Sequence, residues 1–309
     1  MSHTLGLSRA VALAAALGGC IAYGSLGILL LCGEARAADA LWTAGTGNFN
    51  DTANWDTGVV PVNGDVAIIN NGGTAQLSVS TTTSGATLRI GEDGTGAMTV
   101  TGTGTYETSG DIWIGRTQAA APAVGSGSLT VDGGATVRKI GGYTYIGAGS
   151  DARGAVGTLA VGSGSTYFHD SGDRFIIGDG ANAGNYEGTV TVSGGTVDGG
   201  AGEFWIGQDG GAGTARGVLN LSNGGSVTTR NWTVVGRFGA TGELNISSGT
   251  FSKQSGGNFI VADGNGSVGT VNQTGGTISV SSGEFWLGQG GGSSGTYSMS
   301  AGSLSANSW

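Results

Sequence analysis

From Leu88 to the C-terminus the chain repeats one unit eight times, and no single copy is long enough to bury its own apolar face. A clear copy runs from Glu203 to Val227: Glu-Phe-Trp-Ile-Gly, a Gly/Asp-rich bend, Gly-Val-Leu-Asn-Leu, then Ser-Asn-Gly-Gly-Ser-Val. Each copy therefore holds three short β-type runs separated by glycine. Glycine supplies 67 of 309 residues without the every-third spacing of collagen. It weakens strand interiors and suits tight bends, so many bends and many short strands follow.

Alignment of the copies shows which side chains share a face. The first run ends in Gly91, Gly115, Gly147, Gly178, Gly207, Gly236, Ala262 and Gly288. Just before stand Ile90, Ile114, Ile146, Ile177, Ile206, Val235, Val261 and Leu287, all aliphatic. The second run contributes columns headed by Met98 and Val100, and the third a column from Tyr106 to Leu304. Side chains two apart on a strand share a face, so these columns point inward. Copies of 25–32 residues fit one coil of a three-sided solenoid. The expected fold is all-β: a right-handed, single-stranded parallel β-helix of about eight coils following an N-terminal signal peptide. Gln273 stands alone in an apolar column and is a weak spot unless its amide finds a partner.

Three segments follow. Residues 1–37 are expected to be an export signal: Arg9 supplies positive charge, residues 10–32 are almost wholly apolar, and Ala35-Arg36-Ala37 fits the small-x-small cleavage rule. An uncleaved membrane anchor is the alternative. Residues 38–85 differ from the repeats and are expected to cap the open end of the stack, with Trp42 and Trp55 as plugs. Residues 86–309 form the helix proper and break off in a ninth copy. Both cysteines, Cys20 and Cys32, lie in the leader, so the mature chain has no disulfide. The net charge of −9 becomes −10 once Arg9, Arg36 and Glu34 are removed, which argues against nucleic acid and anionic membrane surfaces.

The outward column of the first run holds Arg89, Trp113, Tyr145, Ile176, Trp205, Val234, Ile260 and Trp286, where polar residues belong. Trp113, Tyr145, Trp205 and Trp286 are a candidate contact stripe for sugar rings or a protein partner. Alternatively they form a ladder that stabilises the strands, or lie beneath the inserts. Those inserts vary in length between the first and second runs, longest at Arg116–Val124, and stack into a ridge. Acids after the first run, Glu92-Asp93, Asp179, Asp209 and Asp263, are best explained as turn residues rather than calcium ligands. His169 is the single histidine of the mature chain and is expected in a loop. It stands beside Asp170 and near Asp173, without a nucleophile-elbow motif. Asp170, Asp173 and Arg174 are the densest charged cluster, too little for a polysaccharide-cleaving site. No catalytic residue, cofactor or metal site is assigned.

The leader, the Trp42…Asn54-Trp55…Pro61…Asp65 opening and the Gly-Gly-rich β copies resemble the passenger regions of bacterial autotransporters with autotransporter-associated β-strand repeats. The resemblance covers nearly all of residues 41–309. It implies a right-handed β-helix exported to the surface of a Gram-negative cell, often with adhesive or matrix roles. It also implies an outer-membrane β-barrel, which these residues lack. Ser303 to Trp309 looks like the lead-in to another first run, so the barrel is expected in a further C-terminal part or a separate chain. The expected function is that of a non-enzymatic passenger or surface-display rod, adhesive or structural, with a surface glycan or protein as ligand. The alternatives are a polysaccharide lyase or hydrolase, and a carbohydrate-binding sheath or biofilm protein.

Overall fold

The computed structural model describes residues 39–309 apart from 63, 83–85, 119–122, 182, 210–213 and 309. The export leader expected over residues 1–37 lies outside the described residues. The chain winds as a stack of parallel strands, three faces to each coil, in nine turns. Eight are the copies read from the sequence. The ninth is supplied by Val66–Leu77 and Thr81–Thr82, within the segment expected to be a cap.

Like residues lie one above another. Ile114, Ile146, Ile177 and Ile206 pair directly in register and are buried. Leu129, Leu159, Val190 and Leu219 do the same on the second face. Tyr106, Val137, Tyr167 and Val197 do so on the third. The in-register stack lets every coil reuse the hydrogen-bonding edge of the one before, and it joins the inward columns into one continuous core, except in the last turn, where Leu287 and Met299, expected inward, are 50 and 45 % exposed. First and second faces share one 18-stranded sheet, whereas the third is a separate nine-stranded sheet.

The corner between the first two faces explains the glycine column. Gly115 adopts φ +68°, and a Cβ there would lie 1.8 Å from the carbonyl oxygen of Val156 in the next coil. Only a residue without a side chain permits both the left-handed turn and that approach. Ala262, the one residue of that column with a side chain, takes the same left-handed conformation, at φ +71°.

At the N-terminal end, Asp39–Leu41 and Thr46–Asn48 pair with the first coil. Trp42 and Trp55 meet edge to face at 5.1 Å, Phe49 packs on Trp55 at 5.1 Å and on Tyr106 at 5.6 Å. Trp55 Nε1 donates to the Phe49 carbonyl at 2.9 Å. These buried rings form an edge-to-face cluster against the first turns of the stack. Gln273 is fully buried and satisfied: its Nε2 donates to the carbonyls of Gly276 at 3.1 Å and Ser303 at 2.9 Å, and its Oε1 accepts from the Tyr297 hydroxyl. Asn220, Asn245 and Asn272 form a ladder on the second face, each amide donating to the one before at 3.0 and 2.9 Å.

Candidate functional site

The outward column of the first face is in register along its length, from Arg89 and Trp113 through Tyr145, Ile176, Trp205, Val234 and Ile260 to Trp286. Its middle is not open to solvent. Ile176, Trp205, Val234 and Ile260 are 2, 5, 1 and 0 % exposed. They form a second apolar cluster, with Tyr145, Trp232 and Trp286 packed against it.

The first-face strands do not stop at the corner. They overrun the corner glycine: Ile112–Thr117, Thr144–Gly149, Phe175–Gly180 and Phe204–Asp209 each extend beyond it. The returning strands Gly125–Asp132, Ala155–Val161, Asn185–Ser193 and Thr214–Ser222 begin before the second-face column. Outgoing and returning segments pair coil to coil and make a fin, the ridge expected from the inserts. Ala155, Tyr186, Ala215 and Ala240 give the fin a small core of its own. Glu92, Asp179, Asp209 and Asp263 therefore sit in strands, not in turns as expected, because the strand continues past the corner.

Ring faces along the stripe carry contacts within the protein. Trp113 stacks on Tyr145 at 3.9 Å, and Tyr145 on Tyr143 at 5.5 Å. Arg116 lies over Trp113 at 4.4 Å. Trp205 receives Arg174 from the preceding coil at 4.5 Å and Arg237 from the following coil at 4.1 Å. Each cation is itself held: Arg174 by Glu203 at 2.9 Å, Arg237 by Asp263 at 3.2 Å, Arg116 by Glu92 at 2.9 Å. A guanidinium over an indole contributes about 0.5–2 kcal/mol, which suits a ladder that ties coil to coil. Trp205 Nε1 and Gln208 Oε1 have no hydrogen-bond partner among the described residues. Trp286 is half-buried and is part of the same cluster.

Charge in the fin follows burial. The carboxyl of Glu92 is raised by desolvation, against the opposing pull of Arg116 and Arg89. Asp179 is pushed up to about 6, by burial first and then by the charge of Asp209.

The cluster of Asp170, Asp173 and Arg174 is dispersed by the fold. Asp170 turns to the third face and pairs with Arg138 at 3.1 Å, while Arg174 reaches the first face. Asp173 Oδ2 accepts from the Ser171 hydroxyl at 3.1 Å. His169 is the last residue of the strand Thr166–His169 and is wholly buried, not in a loop as expected. Its Nε2 donates to the Asp173 carbonyl at 3.1 Å, and Nδ1 lies 2.9 Å from Thr144 Oγ1. A carbonyl can only accept, so the proton is on Nε2 and Nδ1 accepts from the threonine. Burial, aided by the Lys139 charge, lowers the imidazole to about 4.

His169 belongs to a buried polar corner that the inward-column reading passed over. Thr108, Lys139, Thr229 and Lys253 share it. The Lys253 ammonium shares its three N–H donors among four carbonyls: Ser255 at 2.9 Å, Gly256 and Ser282 at 3.0 Å, and Gly257. Alternation carried one step past Tyr106, Val137, Tyr167, Val227 and Phe251 places these residues inward, so the signal was present. Among the described residues no group of three or more His, Cys, Asp or Glu is placed to hold a metal ion. Compared with protein-family models, curated proteins and solved structures, the chain matches none.

Proposed function

We propose that the chain is an exported, non-enzymatic β-helical rod, displayed on the surface of a Gram-negative cell as an adhesive or structural passenger of the autotransporter type. The observation that carries this reading is the parallel stack of nine turns, in register apart from an irregularity between Ile69 and Thr74 in the first turn, with the buried rings of Trp42, Phe49 and Trp55 packed at its N-terminal end. A solenoid gains stability turn by turn and projects its surface along one axis, which suits a spacer or display rod. The buried His169 and the dispersal of Asp170, Asp173 and Arg174 leave the most charged part of the sequence engaged in packing and ion pairing rather than grouped for acid–base work. An outer-membrane β-barrel, in a further part of the protein or in a separate chain, supplies the anchor.

The test is surface display from the complete gene in a Gram-negative host. Antibody labelling of intact cells and loss of the label on protease shaving are expected. Retention of the rod in the cytoplasm or periplasm would refute the display role. Incubation of the purified chain with acidic polysaccharides, with and without calcium, is expected to leave chain length unchanged; cleavage would make it an enzyme.

A further inference from the structure

On the third face the outward column runs Glu107, Arg138, Phe168, Asp198, Thr228, Ser252, Ser279 and Ser305, in register throughout. Beyond Asp198 the column is small and hydroxylic. Within it stands Phe168, a large ring left 39 % exposed. The exposed part of this ring is an apolar surface among charged and hydroxyl neighbours.

Around Phe168 the surface is concave. Arg138, Phe168, Asp170, Asp198, Gly200 and Arg230 line a groove of about 500 Å³, a size that takes a small ligand. Its polar groups are fixed in advance. Arg138 is held by Glu107 at 3.0 Å and by Asp170 at 3.1 Å. Arg230 makes a two-pronged pair with Asp198, with Nη2 2.9 Å from Oδ2, and donates to the Gly200 carbonyl at 3.3 Å. Gly200 has φ +75°, and a Cβ there would lie 2.0 Å from the His169 carbonyl oxygen. That part of the lining must therefore stay bare backbone. Preorganised groups lose little freedom when a ligand arrives, which favours binding.

We propose that this groove is a binding site for a neutral oligosaccharide, one sugar ring lying on Phe168 with its hydroxyls bonded by Asp170, Arg138 and Arg230. A pyranose has an apolar C–H face and a rim of hydroxyls that both donate and accept. The groove offers the same division: an aromatic surface, a carboxylate that accepts and guanidinium groups that donate. The lining carries two arginines and two aspartates, so its formal charge is zero, and both cations are already paired. An acidic sugar or a phosphate would have to compete with Asp170 and Asp198 for those guanidinium groups. The stripe of the first face is a weaker candidate, since rings and cations of the protein lie over Trp113 and Trp205.

This assignment names the partner of the surface rod and rests on the adhesive form of that reading. The experiment is independent of display: the purified full chain is tested on matched arrays of neutral and uronic-acid oligosaccharides, followed by titration of the best binder. Neutral glycans are expected to bind, with acidic ones weaker. Phe168→Ala is expected to weaken binding tenfold or more and Asp170→Asn several-fold, whereas Trp113→Ala leaves it unchanged. Phe168→Leu, which keeps apolar volume without the ring, is expected to match Phe168→Ala and guards against loss of folding. Absence of neutral-glycan binding, preference for acidic glycans, or wild-type affinity in both Phe168 variants would overturn the proposal. Display on intact cells would still stand in each case.

Discussion

Replacing His169 by glutamine should flatten the loss of stability that acid causes in this rod. The wild-type imidazole is neutral in the folded chain, held between the Thr144 hydroxyl and the Asp173 carbonyl and lowered from 6.5 to about 4. Unfolded, it takes up a proton once the pH falls below about 6.5. Its contribution to stability is therefore complete above pH 6.5 and lost as the pH falls through about 4. The gap of some 2.5 pH units, at ~1.4 kcal/mol each, corresponds to about 3 kcal/mol. The charged groups acting on the ring are Lys139, which opposes its protonation, and Asp173 and Asp198, which favour it. Asp179 works in the opposite sense. Its folded value of about 6 lies above the ordinary 3.8, so it disfavours the fold above pH 6 and ceases to do so as the pH falls. The wild-type profile alone thus mixes two slopes of opposite sign. The difference between wild type and His169→Gln cancels Asp179 and isolates the imidazole. Urea denaturation at pH 7, 5.5 and 4.5, followed by circular dichroism, should show the wild-type advantage shrinking by about 2 kcal/mol across that window, the rest of the effect lying below pH 4.5. A difference that stays constant with pH would refute the reasoning.

Further outcomes follow from the same geometry. Gly102→Ala, at φ +62° with open space around it, should cost about 1–2 kcal/mol, whereas Gly115→Ala, whose Cβ meets the Val156 carbonyl oxygen at 1.8 Å, should prevent folding of its coil. Thermal melts of the two variants read the contrast, and equal effects would count against the corner account. Trp205→Ala should cost about 3–5 kcal/mol in urea unfolding, comparable with a core truncation such as Ile206→Ala, because both side chains are buried on opposite faces of one strand. A loss below ~0.5 kcal/mol would mean that Trp205 behaves as a surface residue. Lys253→Met should destabilise the rod more than Lys139→Met, since it leaves four carbonyls without their donor where Lys139 donates to the Gly141 carbonyl. Matched denaturation curves would test that order.

The inward columns were legible in the sequence because alternation along a strand and a repeat of 24–32 residues are properties of the chain taken one coil at a time. Ile146, Ile177 and Ile206 stack wherever such copies wind in register, and the corner glycines announce where each coil turns. The fate of outward residues was settled only by contacts between coils and by the overrun of strands past the corner. Trp205 is buried because Arg174 and Arg237, from the coils on either side, close over it. Asp170 and Arg174, four positions apart, part company because one faces Arg138 a coil below and the other Glu203 a coil above. Spacing along the chain decides which side of a strand a residue occupies. What lies across from it is decided about one coil away in sequence, where the length of each insert sets the meeting point, and only the folded stack brings those residues together.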